Sequence, residues 1–176
     1  VVPGENNIGT AIQGLFASLH DVSNVPSEMG PRVVAMERGR AVAAVFNEVA
    51  GSINTIKEGL VTQANQSVND LNALVKGLLN VNLQLTRADA GASKSLLDNR
   101  DMLIDKISEF VEVNTSIDVQ GRATLRLGGS VAGPKIIDAR KAYHVSMSSQ
   151  DDKFIFKVGA QGKETMTNQV INGRLA

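Results

Sequence analysis

Two histidines, His20 and His144, are the only side chains of this 176-residue chain whose ordinary pKa suits them to base catalysis near neutral pH. They fall in different halves of the sequence, and no serine stands in a G-x-S-x-G elbow for either to activate. Cysteine is absent, which excludes a thiolate nucleophile, a zinc–thiolate site, an iron–sulfur cluster and a disulfide framework. His20-Asp21 ends a predicted helix and His144 stands beside Tyr143 on a predicted strand, so a surface or structural role is expected of each. No H-E-x-x-H or calcium-loop pattern occurs. Asp98, Asp101, Asp105, Glu109 and Glu112 share one helix face within about 80° of arc. They could hold a cation weakly, but a solvated helix face is the simpler expectation.

The stretch Gly128-Gly129-Ser130-Val131-Ala132-Gly133-Pro134-Lys135 has the outline of a phosphate loop. It fails on mechanism. Pro134 removes a backbone donor, and Ile136 stands where a hydroxyl would hold Mg²⁺. A plain turn is expected. Arg122, Arg126, Lys135, Arg140 and Lys141 form a basic stretch interrupted by Asp138, read as an exposed face or blunted strand edge, with contact to an acidic partner as the alternative. No catalytic, cofactor-binding or metal site is therefore expected.

The elements that carry these residues divide near residue 113, helical before and strand-like after. A first helix is predicted from an N-cap at Thr10 to about Val22, with Ile12, Leu15, Phe16 and Leu19 on one face. A second begins with Pro31 at its first position and runs from Arg32 to about Thr86 without another proline. Its apolar stripe passes through Val42, Phe46, Val49, Ile53, Ile56, Leu60, Ala64, Val68, Leu71, Val75 and Leu78 at a period of 3.6, the spacing of a straight helix packed along one face. Gly39, Gly51, Gly59 and Gly77 are the places where it could break. Unbroken, 55 residues span about 80 Å and impose a rod.

A third helix is predicted from a Ser95 cap, with Asp98 at capping-box spacing, to about Phe110. Leu96, Leu103, Ile107 and Phe110 make its buried face. Arg100 projects into that apolar sector, where a guanidinium requires a carboxylate or carbonyls. Val113–Val119 and Ala123–Leu127 read as a hairpin turning at Gln120-Gly121. Further strands are predicted at 135–138, 142–147, 153–158 and 165–170. The fold class is α+β: an elongated antiparallel helical bundle with one very long helix, followed by a small antiparallel β domain. The expected domains are a helical rod, 1–113, and a β-rich portion, 114–176.

Eighteen basic and eighteen acidic residues cancel, which removes the generic electrostatic case for nucleic acid or an anionic membrane as partner. With no Trp, one Tyr and five Phe, stacking platforms for single strands are scarce. No apolar run reaches the roughly 18 residues that span a bilayer. The start at Val1-Val2-Pro3, without Met or a signal peptide, suggests a trimmed fragment.

Three segments then carry a resemblance. Leu97-Asp98-Asn99-Arg100-Asp101-Met102-Leu103-Ile104-Asp105 resembles the L-D-x-R-D-x-L-x-D segment of the flagellar hook-associated protein 1 family, the hook–filament junction proteins. Leu97, Asp98, Arg100, Asp101 and Leu103 match it as structural motif residues. Leu15 to Pro26 is similar to that family's F-F-x-S-L-x-D-L-S-x-x-P, with Leu15 in place of the first Phe. Phe46-Asn47 is similarly placed, and Ile171-Asn172-Gly173-Arg174-Leu175 resembles the start of an I-x-G-G-x-L segment. The match spans about residues 8–128 and thins from 130 to 165.

The resemblance implies a central fragment lacking the terminal helices. It implies an extracellular structural protein of the bacterial flagellum, exported by the flagellar type III apparatus without a cleaved signal. Its implied partners are hook protein, a second junction protein and copies of itself in a ring, the isolated fragment being a monomer. A stalked ligand-binding or sensor module with a helical bundle is the alternative. It requires a pocket of convergent polar groups and a transmembrane flank. An enzyme would require a convergent acid, base or nucleophile cluster, and the candidates are scattered.

Overall fold

A computed structural model describes residues 7–87, 93–150, 153–160 and 163–166. Three helices come first: α1 (Ile8–Asn24), α2 (Met29–Leu85) and α3 (Ser93–Phe110). Seven strands follow: β1 (Val113–Ile117), β2 (Ala123–Leu127), β3 (Lys135–Asp138), β4 (Lys141–Ala142), β5 (His144–Gln150), β6 (Lys153–Ala160) and β7 (Lys163–Met166). The architecture is α+β. The chain divides into two compact units, Val1–Gly59 and Leu60–Ala176.

In the first unit, α1 is capped by Asn7, whose side chain accepts the N–H of Thr10 at 2.9 Å. The cap thus lies three residues before the predicted Thr10, whose own backbone N–H is the donor that Asn7 satisfies. Of the predicted α1 face, Phe16 and Leu19 are exposed, and Ser18 is buried with its hydroxyl donating to the Leu15 carbonyl at 2.7 Å. α2 starts at Met29, so Pro31 occupies the third position of its first turn. A missing N–H is equally harmless there, because no first-turn N–H has an intrahelical acceptor.

α2 is continuous through all four of its predicted weak points, Gly39, Gly51, Gly59 and Gly77. Its stripe behaves differently in its two parts. Val68, Leu71, Val75 and Leu78 are buried, and Val81 and Leu85 extend the row. Phe46, Val49, Ile53, Ile56 and Leu60 on the same stripe are exposed. Full burial along the stripe is therefore confined to the last third of the helix among the described residues, while Pro31, Ala35, Gly39, Val42 and Val45 form a half-buried row near its start.

In the second unit α3 runs back along α2, with Leu103 seated where Gly77 leaves room; a Cβ there would lie 3.7 Å from Leu103 Cδ2. α3 begins at Ser93, two residues before the predicted Ser95 cap, so Ser95 lies inside the helix. Ile107 is fully buried, Leu96, Leu103 and Phe110 are half-buried, and the five carboxylates of the opposite face are all exposed. The first sheet has the order β1-β2-β3-β4 and the second β5-β6-β7, every pair antiparallel. β1 pairs with β2 from Val113↔Leu127 to Ile117↔Ala123. β1 is an edge strand and largely exposed, so its predicted alternation buries little. The buried row belongs to β2, where Ala123, Leu125 and Leu127 are inaccessible.

The core joins these rows: Val68, Leu71, Val75 and Leu78 of α2, Ile107 of α3, the inner residues of β2, Ile136 and Ile137 of β3, Val145 of β5 and Val158 of β6. Burial of such side chains contributes about 1.5–3 kcal/mol each. β5 begins at His144 and runs to Gln150, later than the strand predicted over 142–147; Lys141–Ala142 forms a separate short strand because Tyr143 donates its N–H to Ile136 of the first sheet. β7 covers 163–166, and residues 167–170 of the predicted last strand lie outside the described residues.

Candidate functional site

The matched motif on α3 meets the tip of the β1–β2 hairpin. Arg100 is 11 % exposed, and its guanidinium has two partners. Nε and Nη2 donate to the Asp101 carboxylate at 2.7 and 2.6 Å. Nη1 donates to the Gly121 carbonyl at 2.6 Å. A cation in the apolar sector of a helix is thereby neutralised from its own helix and anchored to a turn 21 residues away. Leu97 packs on the same turn. Gly121 has φ +79, and a Cβ there would come within 2.8 Å of Leu97 Cδ2, so both conformation and space demand glycine. Of the five motif residues, Leu97 and Arg100 meet the hairpin tip, and Asp101 pairs with Arg100. Leu103 packs on α2 at Gly77, and Asp98 is exposed.

The tip is braced from within by Asp118, which sequence reasoning passed over. Its carboxylate accepts the Gln120 N–H at 2.9 Å, the Arg122 N–H at 3.0 Å and Arg122 Nε at 2.7 Å. Partial burial acts to raise its pKa. The Arg122 side-chain bond, the two backbone bonds and the Arg122 charge together outweigh this and hold the carboxyl below its ordinary value. Val119, within this turn, is fully exposed.

The basic stretch is mostly spent inside the molecule. Arg122 pairs with Asp118, Arg126 donates to the Gly133 carbonyl at 2.8 Å, and Lys135 reaches Asp138 at 2.6 Å. Lys141 lies 5.0 Å over the Tyr143 ring. The hydrogen bond from Lys135, against the smaller effect of burial, lowers the Asp138 pKa. In the loop with the phosphate-loop outline, Gly128 donates its N–H to Glu112, Gly133 to Ser130, and Ala132 to the Ser130 hydroxyl. Those donors close a turn. Gly133 lies so near the Leu127 carbonyl that a Cβ would sit 2.0 Å from it.

His20 and His144 lie in different units, His20 exposed and His144 half-buried on β5. Among the described residues no group of three or more His, Cys, Asp or Glu could hold a metal ion, and no helix is long and apolar enough to cross a membrane.

Two further polar side chains lie at the centre of the second unit. Asn82, fully buried, donates from Nδ2 to the Ala123 carbonyl at 2.8 Å and accepts the Ala123 N–H on Oδ1 at 2.9 Å. Asn72 treats Val145 in the same way, at 2.7 and 2.9 Å. Each amide supplies the donor and acceptor that a neighbouring strand would supply. Sequence reasoning missed both. The available signal was their position: Asn72 follows Val68 by four, and Asn82 follows Leu78 by four, which places both on the apolar stripe. Among the described residues, these side chains brace turns and strand edges.

A family model described as the flagellar hook-associated protein FlgK helical domain matches residues 2–176. Flagellar hook-associated protein 1 of Bacillus subtilis (strain 168) is 28% identical over 139 residues, which is 78% of this chain and 27% of that protein. The chain thus spans about a quarter of the length of the curated relative it matches.

Proposed function

This chain belongs to the family of flagellar hook-associated protein FlgK helical domains, and from that premise we propose that it is part of a structural subunit joining hook to filament in the bacterial flagellum. The observation that carries the proposal is the family match across residues 2–176. The fold supports it, because its polar chemistry is used to brace turns and strand edges. On this reading the subunit is exported by the flagellar type III apparatus and works outside the cell without catalysis. Copies of it form a ring whose neighbours are hook protein and a second junction protein. Residues 1–113 act as the helical rod and 114–176 as the β-rich portion. The exposed apolar residues of α2, from Phe46 to Leu60, suit contact with other protein surface. Without partners, the 176-residue piece is a monomer.

Immunogold electron microscopy of native cells, with antibody raised against this chain, tests the proposal. The expected result is label confined to the boundary between hook and filament. Label spread over the cell envelope, with none on flagella, would overturn it.

A further inference from the structure

Each sheet of the second unit is tied to α2 by one asparagine at a point where its own strands run out. β2 pairs with β3 only from Leu125 onward, so Ala123 has no strand on that side. β5 is the outer strand of its sheet, so Val145 has none either. An unpaired strand edge is a site of loosening and of unwanted pairing. Asn82 occupies the first gap and Asn72 the second. The two asparagines are ten residues apart in α2, about 15 Å along one helix, and no other pair of α2 asparagines has that spacing. Between the sheets the chain passes through only Tyr143, whose N–H still belongs to the first sheet.

We infer that Asn72 and Asn82 are two independent latches, by which α2 holds the β5–β7 sheet and the β1–β4 sheet separately, so that the first can be released while the second stays docked. Apolar contacts alone would not separate the two events, because Val145 and Val158 share one core with Ala123 and Leu125. The polar bonds do separate them, since each amide serves a single strand residue and breaking one leaves the other whole.

The test uses Asn72→Asp in the full chain, with hydrogen exchange read by mass spectrometry as protection relative to each amide's intrinsic rate. A protonated carboxyl reproduces the amide: one oxygen accepts the Val145 N–H and the hydroxyl donates to the Val145 carbonyl. An ionised carboxylate can only accept. Lys76 and His144 line the same cleft as Asn72, so the parent chain is measured at both pH values. At about pH 7, where a carboxyl is ordinarily ionised, protection over 144–158 should fall about tenfold or more, with 113–138 unchanged. At about pH 4.5, where protonation begins to compete, protection over 144–158 should recover relative to the parent. Asn82→Asp should show the mirror pattern, with the loss confined to 113–138. Three results would overturn the inference: loss of protection in both sheets together, whole-chain unfolding included; no change in either; or a loss over 144–158 that acid does not reverse.

Discussion

At the scale of the residue, Arg100 shows how a local pattern forces a distant contact. Its place in the apolar sector of α3 was legible from spacing alone, and so was its need for a carboxylate or carbonyls. Its long-range partner was not, because nothing in the helix period points to Gly121. Arg100→Ala should destabilise the chain by about 1–3 kcal/mol, the cost of stripping a half-buried carbonyl of a charged donor. Thermal melting checks this, and a melt matching the parent would show that Asp101 and Gly121 do not depend on the guanidinium. Lysine should restore little, since a single ammonium cannot reproduce the fork that serves both partners. Asn72 and Asn82 were illegible for a related reason. Their partners lie 73 and 41 residues away, and the apolar stripe draws the eye past a polar member that is satisfied only by the folded sheet.

At the scale of the element, α2 was read correctly in its extent and less well in its environment. A 3.6 period states which residues share a face, but not whether anything covers that face. Covered and uncovered parts of the stripe have the same spacing, and only α3 and the sheets distinguish them. Continuity itself is informative, since four glycines weaken the helix without breaking it. A Cβ at Gly51 or Gly59 would meet no atom within 4 Å. Gly51→Ala and Gly59→Ala should each stabilise α2 by up to about 1 kcal/mol. Circular dichroism during thermal unfolding measures the gain; a loss would mean that the glycines meet a requirement of the helix that is not steric. The element boundaries were the least legible, because caps are single side chains. The cap expected at Thr10 lies at Asn7, and the bond between the two residues is what identifies it.

At the scale of the whole molecule, α+β class and element order followed from the change in period near residue 113. Acid sensitivity also belongs at this scale. Asp118 and Asp138 both have native pKa values below their ordinary 3.8. Their ionised forms therefore stabilise the fold fully above that value, and this contribution is lost as pH falls through the native values. Chemical denaturation midpoints should be flat near neutrality and drop below about pH 4. Asp118→Asn should flatten part of that drop; an unchanged slope would assign it to other carboxyls. One further consequence follows from Tyr143, the only tyrosine in a chain without tryptophan. It lines the cleft beside Asn72 and lies under Lys141. All useful intrinsic fluorescence of this protein therefore originates at the joint between its two sheets, so the molecule carries its own optical gauge there and any opening at that point can be followed in real time with no label attached.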